Sequence, residues 1–367
     1  MSGQKVADQK WKIALVGSGN WGSAIARLVG KNVKERSDHF DTEVKMWCYE
    51  EDFEGRKLTE VINDKHENVK YLPGVDLGDN VVAEPDLAKA VEGANALIFV
   101  IPHQFIAKTC EQLEGKIAKG THGISLIKGV DVKDGQIHIF SEVISERLGI
   151  ECAALSGANI ANEVAQDSFS ETTIGCRDID VAKKWQQLFE TEKFRVAVSE
   201  DVVGVSLGGA LKNVVAVAAG LIDGMKWGNN AKQGKLTDRS LDPARLGSQA
   251  AIMRIGLLEM KRFSLEFFPG TQPDTFVQES AGVADLITSC LGGRNHKVAA
   301  AFVTKGKSFE DLEKEMLNGQ KLQGVETAKE LYHFLETRGR QDAYPLFTFV
   351  YRVAYEGVKP DTITAHI

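Results

Sequence analysis

The sequence lacks an excess of positive charge: 44 lysines and arginines stand against 51 aspartates and glutamates, a formal net charge of -7. That balance argues against a nucleic-acid partner, which needs a basic face. It leaves room for a small anionic ligand held by a few local cations. Cysteine is also scarce. Cys48, Cys110, Cys152, Cys176 and Cys290 are odd in number, scattered, and without a Cys-x-x-Cys spacing. They exclude a disulfide framework and a zinc site and fit buried thiols in a reducing compartment. No metal-ligand spacing, His-Glu-x-x-His or Ser–His–Asp order is present, and His103, His122 and His138 read as strand-end or surface residues. The polar N-terminus lacks the apolar stretch of a secretory signal. Val214–Ile222, the longest apolar stretch of the second half, is shorter than the roughly 20 residues that span a bilayer. The ending Ala365-His366-Ile367 is not the peroxisomal Ser-Lys-Leu. The expected compartment is the cytosol.

What is present begins with glycine. Gly17-Ser18-Gly19-Asn20-Trp21-Gly22 follows the apolar run Ile13–Val16 and opens a segment of small residues, Ser23–Ala26. Gly-x-Gly-x-x-Gly alone is a weak pattern, but between a strand and a helix it is the dinucleotide-binding turn. The first glycine permits the turn, the second admits a pyrophosphate to the backbone, and the third lets helix pack on strand. The helix N-terminus then offers N–H donors and a positive dipole end.

With 367 residues, 43% of them hydrophobic and 26% charged, the chain is long enough for two domains. Strands are expected at Glu43–Tyr49, Ala96–Ile101, Gly123–Ile127, Cys152–Leu155, Thr172–Cys176 and Phe194–Val198. Most are near-continuous apolar runs, as strands covered on both faces should be. Helical segments between them predict an α/β fold with a Rossmann-like doubly wound sheet. Glu50 and Glu51, just past the second strand, are candidate acceptors for a ribose hydroxyl and would repel a 2′-phosphate, favouring NAD over NADP. From Asp201 onward only helical periodicity is visible: 201–225, 249–267, 280–291, 308–316 and 327–336. Ser308-Phe-Glu-Asp311 resembles a capping box. The expected division is therefore residues 1–199 as a dinucleotide-binding domain and 200–367 as an all-helical domain. Ala231–Ala244, polar and rich in breakers, reads as an exposed loop.

Three constellations can carry chemistry. Lys128 follows a buried strand on the cofactor side. Lys212 lies in Gly208–Gly220, apolar or small nearly all round, so its helix is buried and its ammonium needs a partner or a ligand. Asp285, Thr288 and Ser289 fall within about one helical turn, and Gly292-Gly293-Arg294-Asn295 follows. A guanidinium beside glycines suits a phosphate. Asn318–Gly324 is a connector or a lid.

Gly17–Gly22, Pro102–Phe105, Leu126–Asp131, Gly157–Ala161, Ala210–Ala216, Asp285–Thr288, Gly292–Asn295 and Asn318–Gly324 together closely resemble the eukaryotic cytosolic NAD-dependent glycerol-3-phosphate dehydrogenase family, from about Trp11 to Gly357. The resemblance implies a homodimer that reversibly reduces dihydroxyacetone phosphate with NADH to sn-glycerol 3-phosphate. It implies that Lys212 exchanges the proton at the C2 oxygen, that Lys128 polarises that oxygen and contacts substrate, and that Asp285, with Ser289, orients Lys212. Asn213, Thr288, Arg294 and Asn295 would hold the substrate, chiefly its phosphate. Gly17, Ser18, Gly19, Asn20, Trp21, Gly22, Tyr49, Phe105, Ala161, Arg294, Lys321 and Gln323 would line NAD. Three departures stand out: Ser289 where the family has threonine, Tyr49 where it has phenylalanine, and a longer Lys232–Ala244 stretch. Two other readings remain open, a different two-domain hydroxyacid dehydrogenase recognising a carboxylate and a non-catalytic NAD-responsive protein. Deleting Gln233–Asp242 is expected to leave a folded, active enzyme, checked by thermal unfolding and NADH oxidation; loss of folding would place the stretch in the core or a dimer contact.

Overall fold

Alternating apolar strands and amphipathic helices build the first of two compact units, residues Met1–Lys128 with His138–Ser206; Gly129–Ile137 with Leu207–Ile367 form the second. The computed structural model describes residues 9–133, 135–231 and 243–367, with side chains for all of these except 226–231 and 243–246. Most of the expected Ala231–Ala244 loop, and the deletion across it, lies outside the described residues.

The first unit holds one eight-stranded sheet: β1 (Trp11–Val16), β2 (Phe40–Trp47), β3 (Val81–Glu84), β4 (Ala96–Phe99), β5 (His122–Ser125), β6 (Glu151–Ser156), β7 (Ser170–Gly175) and β8 (Phe194–Ser199). Its order is β8-β7-β6-β5-β4-β1-β2-β3. Leu15 pairs with Met46 on one side and Ile98 on the other, and the six strands from β3 to β6 are parallel. This is the order of the dinucleotide-binding fold. β7 runs antiparallel to β6, a reversal that composition cannot reveal. Successive residues of β1 point to opposite faces: Ile13 and Leu15 join one core, Ala14 and Val16 the other. The helices are α1 (Asn20–Glu35), α2 (Leu58–Lys65), α3 (Leu87–Val91), α4 (Ile106–Leu113), α5 (Phe140–Leu148), α6 (Ala161–Ala165) and α7 (Ile179–Phe189). The short, partly exposed edge strand β3, whose apolar run is only Val81–Ala83, was not foreseen, nor was the hairpin Val130–Lys133 with Gln136–Ile139.

Apart from most of that hairpin, which falls in it, the second unit is helical: α8 (Val202–Ala231, begun in the first unit), α9 (Pro243–Phe267), α10 (Pro273–Gln278), α11 (Asp285–Gly292), α12 (Arg294–Lys305), α13 (Phe309–Leu317), α14 (Gln323–Glu336) and α15 (Pro345–Tyr355). Among the described residues no strand follows Ser199, as expected. Two expectations fail locally. α8 and α9 extend into the ends of the expected loop, and α12 starts at Arg294, inside the presumed glycine-rich turn. Ser308 caps α13 by accepting from the Asp311 N–H at 3.1 Å, and its hydroxyl donates to the Asp311 carboxylate at 2.7 Å.

α8 is the core of this unit. Val202–Met225 is long and apolar enough to cross a membrane, longer than the Val214–Ile222 stretch suggested, but nearly all of it is buried inside the protein. Its glycines let neighbouring backbones approach. A Cβ on Gly220 would lie 2.3 Å from the His296 carbonyl oxygen, and one on Gly224 would lie 2.7 Å from that of Ala300. α12 therefore packs against α8 at a distance that only glycine permits.

Behind α8, the buried Glu259 carboxylate on α9 accepts from the N–H groups of Leu346 and Phe347 at 2.8 and 3.1 Å, capping α15. Burial pushes Glu259 up to about 7, outweighing those two donors, which favour its charged form. The folded state thus holds a proton that the unfolded chain releases at lower pH. Its contribution is complete below the unfolded value and is lost as pH rises toward 7. Between pH 5 and 7.5 the wild type should lose about 1–3 kcal/mol relative to Glu259→Gln, measured as the difference in their denaturant unfolding curves.

Candidate active site

In the first unit the glycine turn forms as its spacing predicts. Gly17 adopts φ +121, and a Cβ there would lie 2.4 Å from the Val100 carbonyl oxygen. A Cβ on Gly22 would lie 2.3 Å from the Gly17 carbonyl oxygen, so α1 can begin against the turn only without a side chain. Gly19, by contrast, is exposed and faces open space. It is the N-cap of α1 and supplies no side-chain cap, leaving the first-turn N–H groups for a ligand. Two glycines demanded by packing and one standing open fit a dinucleotide pyrophosphate.

The turn is braced by residues that motif reading missed. Asn68 donates to the Ser18 carbonyl and the Ser23 hydroxyl, both at 2.8 Å, and Asn20 donates to the Tyr71 carbonyl at 2.8 Å and to Asn162 at 2.9 Å. The segment 66–71, with Asn68 its single asparagine, offered no recognisable motif. Ser18 and Gly22 are buried and Trp21 is half-buried. Tyr49 is 72% exposed and Phe105 51% exposed, available as apolar faces beyond β2 and β4. Ala161 opens α6.

Glu50 and Glu51 do not stand as ribose acceptors. Glu50 accepts from the Thr59 hydroxyl at 2.6 Å and the Thr59 N–H at 3.3 Å, at the start of α2. Glu51 pairs with Lys70 and accepts from the Tyr71 hydroxyl at 2.6 Å. Their local structural work was invisible in sequence because the partners lie nine and about twenty residues away. Cys48, near Ser18, is pushed up to about 12 by burial and is no nucleophile. Lys128 lies three residues beyond the end of β5, half-buried, and donates to the Gly157 carbonyl at 3.0 Å.

The second unit gathers a polar cluster around α8. A Cβ on Gly208 would lie 2.4 Å from the Ala281 carbonyl oxygen, so the backbone of 280–284 lies directly on the helix. That stretch, Ser280–Ala284, is a π-helical turn, a wider coil that often marks functional sites. It delivers Asp285 at the start of α11. The Lys212 and Asp285 side chains, 7% and 2% exposed, form a direct ion pair. Lys212 also donates to the Ser289 hydroxyl at 2.6 Å. Asp285 and Ser289 are four residues apart and so share one face of α11. Neighbouring Cys290 is pushed up to about 12 by burial, although the Lys212 charge acts the other way, which leaves it an inert thiol.

Next to Lys212, Asn213 accepts from Asn295 at 3.0 Å, and Asn295 accepts from the Gly324 N–H at 2.8 Å. One asparagine thereby joins α8, α12 and α14. Gly324 was legible only as the last residue of a motif. Arg294 begins α12, is exposed, and donates to Gln320 at 3.4 Å; Thr288 is half-buried on α11. Lys321 pairs with Glu313 at 3.1 Å, an otherwise buried carboxylate that also accepts from the Leu322 N–H, and Gln323 opens α14. The expected residues of this unit therefore lie on α8, α11, α12 and the loop before α14. Among the described residues no cluster of histidine, cysteine and carboxylates could hold a metal ion.

Comparison with known proteins agrees with this geometry. Residues 12–182 match the family model described as NAD-dependent glycerol-3-phosphate dehydrogenase N-terminus, and residues 201–365 match its C-terminus. The chain is 54% identical to the cytoplasmic NAD+ glycerol-3-phosphate dehydrogenase of Mus musculus, over 94% of both chains. It is 49% identical to glycerol-3-phosphate dehydrogenase (NAD+) 1 of Schizosaccharomyces pombe, covering 96% of this chain and 89% of that one. Among solved structures, the glycerol-3-phosphate dehydrogenase of Saccharomyces cerevisiae superposes with a TM-score of 0.87 at 45% identity, covering 98% and 99% of the two chains.

A buried ion pair is vulnerable to loss of one partner, which strands the other's charge. Asp285→Leu should lower stability by about 3–5 kcal/mol. The double variant Lys212→Met/Asp285→Leu, apolar on both sides, should recover most of that loss in the same denaturant titration.

Proposed function

The chain belongs to the NAD-dependent glycerol-3-phosphate dehydrogenase family, and from that premise we propose how its residues divide the work of the reaction. It is an NAD-dependent oxidoreductase acting on a CH–OH group, cytoplasmic like the mammalian relatives. The observation that carries the reading is the buried triad of Lys212, Asp285 and Ser289.

Bound NADH supplies the hydride, and the Gly17–Gly22 turn with Tyr49, Phe105, Ala161, Arg294, Lys321 and Gln323 would hold it. When the C2 carbonyl of dihydroxyacetone phosphate is reduced, negative charge grows on its oxygen. An ammonium placed there stabilises the transition state more than the ground state. Lys212 is the proton donor in reduction and the acceptor in oxidation. Asp285 and Ser289 each take one of its donors and so fix its direction. Lys128, oriented by the Gly157 carbonyl, polarises the same oxygen. Asn213, Thr288 and Asn295 position the substrate, and Arg294 grips its phosphate, giving remote binding energy that orients the reacting carbon. On this reading residues 1–199 serve NAD and 200–367 serve substrate and dimer formation. The product is sn-glycerol 3-phosphate.

NADH oxidation with dihydroxyacetone phosphate beside its unphosphorylated analogue tests this assignment, with strong preference for the phosphate ester expected. Lys212→Met should lower kcat by about 10²–10⁴ while NADH affinity, read by fluorescence titration, stays near that of wild type. Normal turnover by that variant would remove the proton-donor role.

A further inference from the structure

Asp223 is fully buried on α8, eleven residues beyond Lys212, and has no part in the chemistry above. One of its oxygens accepts from Gln249 on α9 at 3.2 Å; the other faces Nε2 of His296 on α12 at 3.6 Å. The His296 side chain is itself 7% exposed. Three helices thus meet at one carboxylate in the interior. Such a group weakens a core unless it is paired and hydrogen-bonded, and apolar residues would pack as well. What a buried polar pair can add is specificity of arrangement, because a slip of one helix would strand both partners.

His296 lies in the first turn of α12, directly after Arg294 and Asn295. The surroundings make the pair a directional lock. Gly220 and Gly224 bring the α8 and α12 backbones into close packing on either side of Asp223. The carboxylate is the polar point of that seam and fixes the register of α12. Asn295 in turn needs that register to meet both Asn213 and the Gly324 N–H.

We propose that Asp223 and His296 are a positioning pair that sets Asn295 for the substrate's phosphate. The inference rests on the reading above that Asn295 holds substrate. Neither member of the pair touches the reacting atoms. Its signature is therefore a change in substrate affinity rather than in the chemical step.

The full-length enzyme at saturating NADH provides the test. Asp223→Asn and His296→Gln should raise KM for dihydroxyacetone phosphate about tenfold while kcat stays within about twofold. NADH affinity by fluorescence titration should not change, and kcat/KM for unphosphorylated dihydroxyacetone should fall by no more than about twofold. His296→Arg, which keeps a nitrogen donor opposite Asp223, should restore KM to within about twofold of wild type. Gln249→Ala removes only the amide on Asp223 and should raise KM about threefold; it decides the matter if the other variants do not fold. The proposal is overturned if folded variants keep a wild-type KM, or if kcat and NADH affinity fall as KM rises, as a merely structural role requires. Failure of the functional reading is distinct: the wild-type chain itself would not turn over the phosphate ester.

Discussion

An ammonium enclosed by a helix of alanines, valines and glycines governs the second unit. At 7% exposure the Lys212 side chain has little water to solvate it, so the fold must bring it a counter-charge. Asp285, 2% exposed, meets that demand directly, and Ser289 adds a hydrogen bond one turn later on the same face. The position of α11, and of the segment that leads into it, follows from the need to place one carboxylate beside one amine. A group that is expensive to bury and yet buried points to chemistry.

Close backbone packing makes that placement possible, and glycine makes close packing possible. Gly208 admits the Ala281 carbonyl, Gly220 that of His296, Gly324 the Asn213 carbonyl. The first unit uses the same device at Gly17 and Gly22. In each case a methyl group would meet a carbonyl oxygen at well under van der Waals distance. The glycines that seat elements against one another are thus physically separable from Gly19, which stands open to a ligand.

Much of this was legible in sequence, unevenly and for identifiable reasons. The parallel sheet was readable because strands such as β4 and β6 are buried on both faces and therefore continuously apolar. Lys212 was readable because a lone charge in an apolar helix has few explanations. The edge strand β3 was not, since Val81–Ala83 is too short an apolar run to stand out. The reversed direction of β7 was hidden because strand polarity depends on partners, and composition does not encode it. α12 was masked by Gly292-Gly293, which sit at a helix end and an N-cap rather than in a loop. Glu50 and Glu51 misled because an acidic pair after β2 looks the same whether it faces a ribose or serves Thr59, Lys70 and Tyr71. Local pattern reports what a residue can do; the partner that claims it is settled by contacts distant in the chain.

The wide coil at Ser280–Ala284 has one more consequence. A π-turn holds an extra residue relative to the α-helical path, so everything after it is rotated by about 100° per residue gained or lost. Asp285 and Ser289 owe their angular phase to that insertion. Losing a single residue from 280–284 would leave every side chain of α11 chemically intact while swinging the carboxylate away from its amine. Chain length in this stretch is therefore as much a determinant of the triad as the identities of its members.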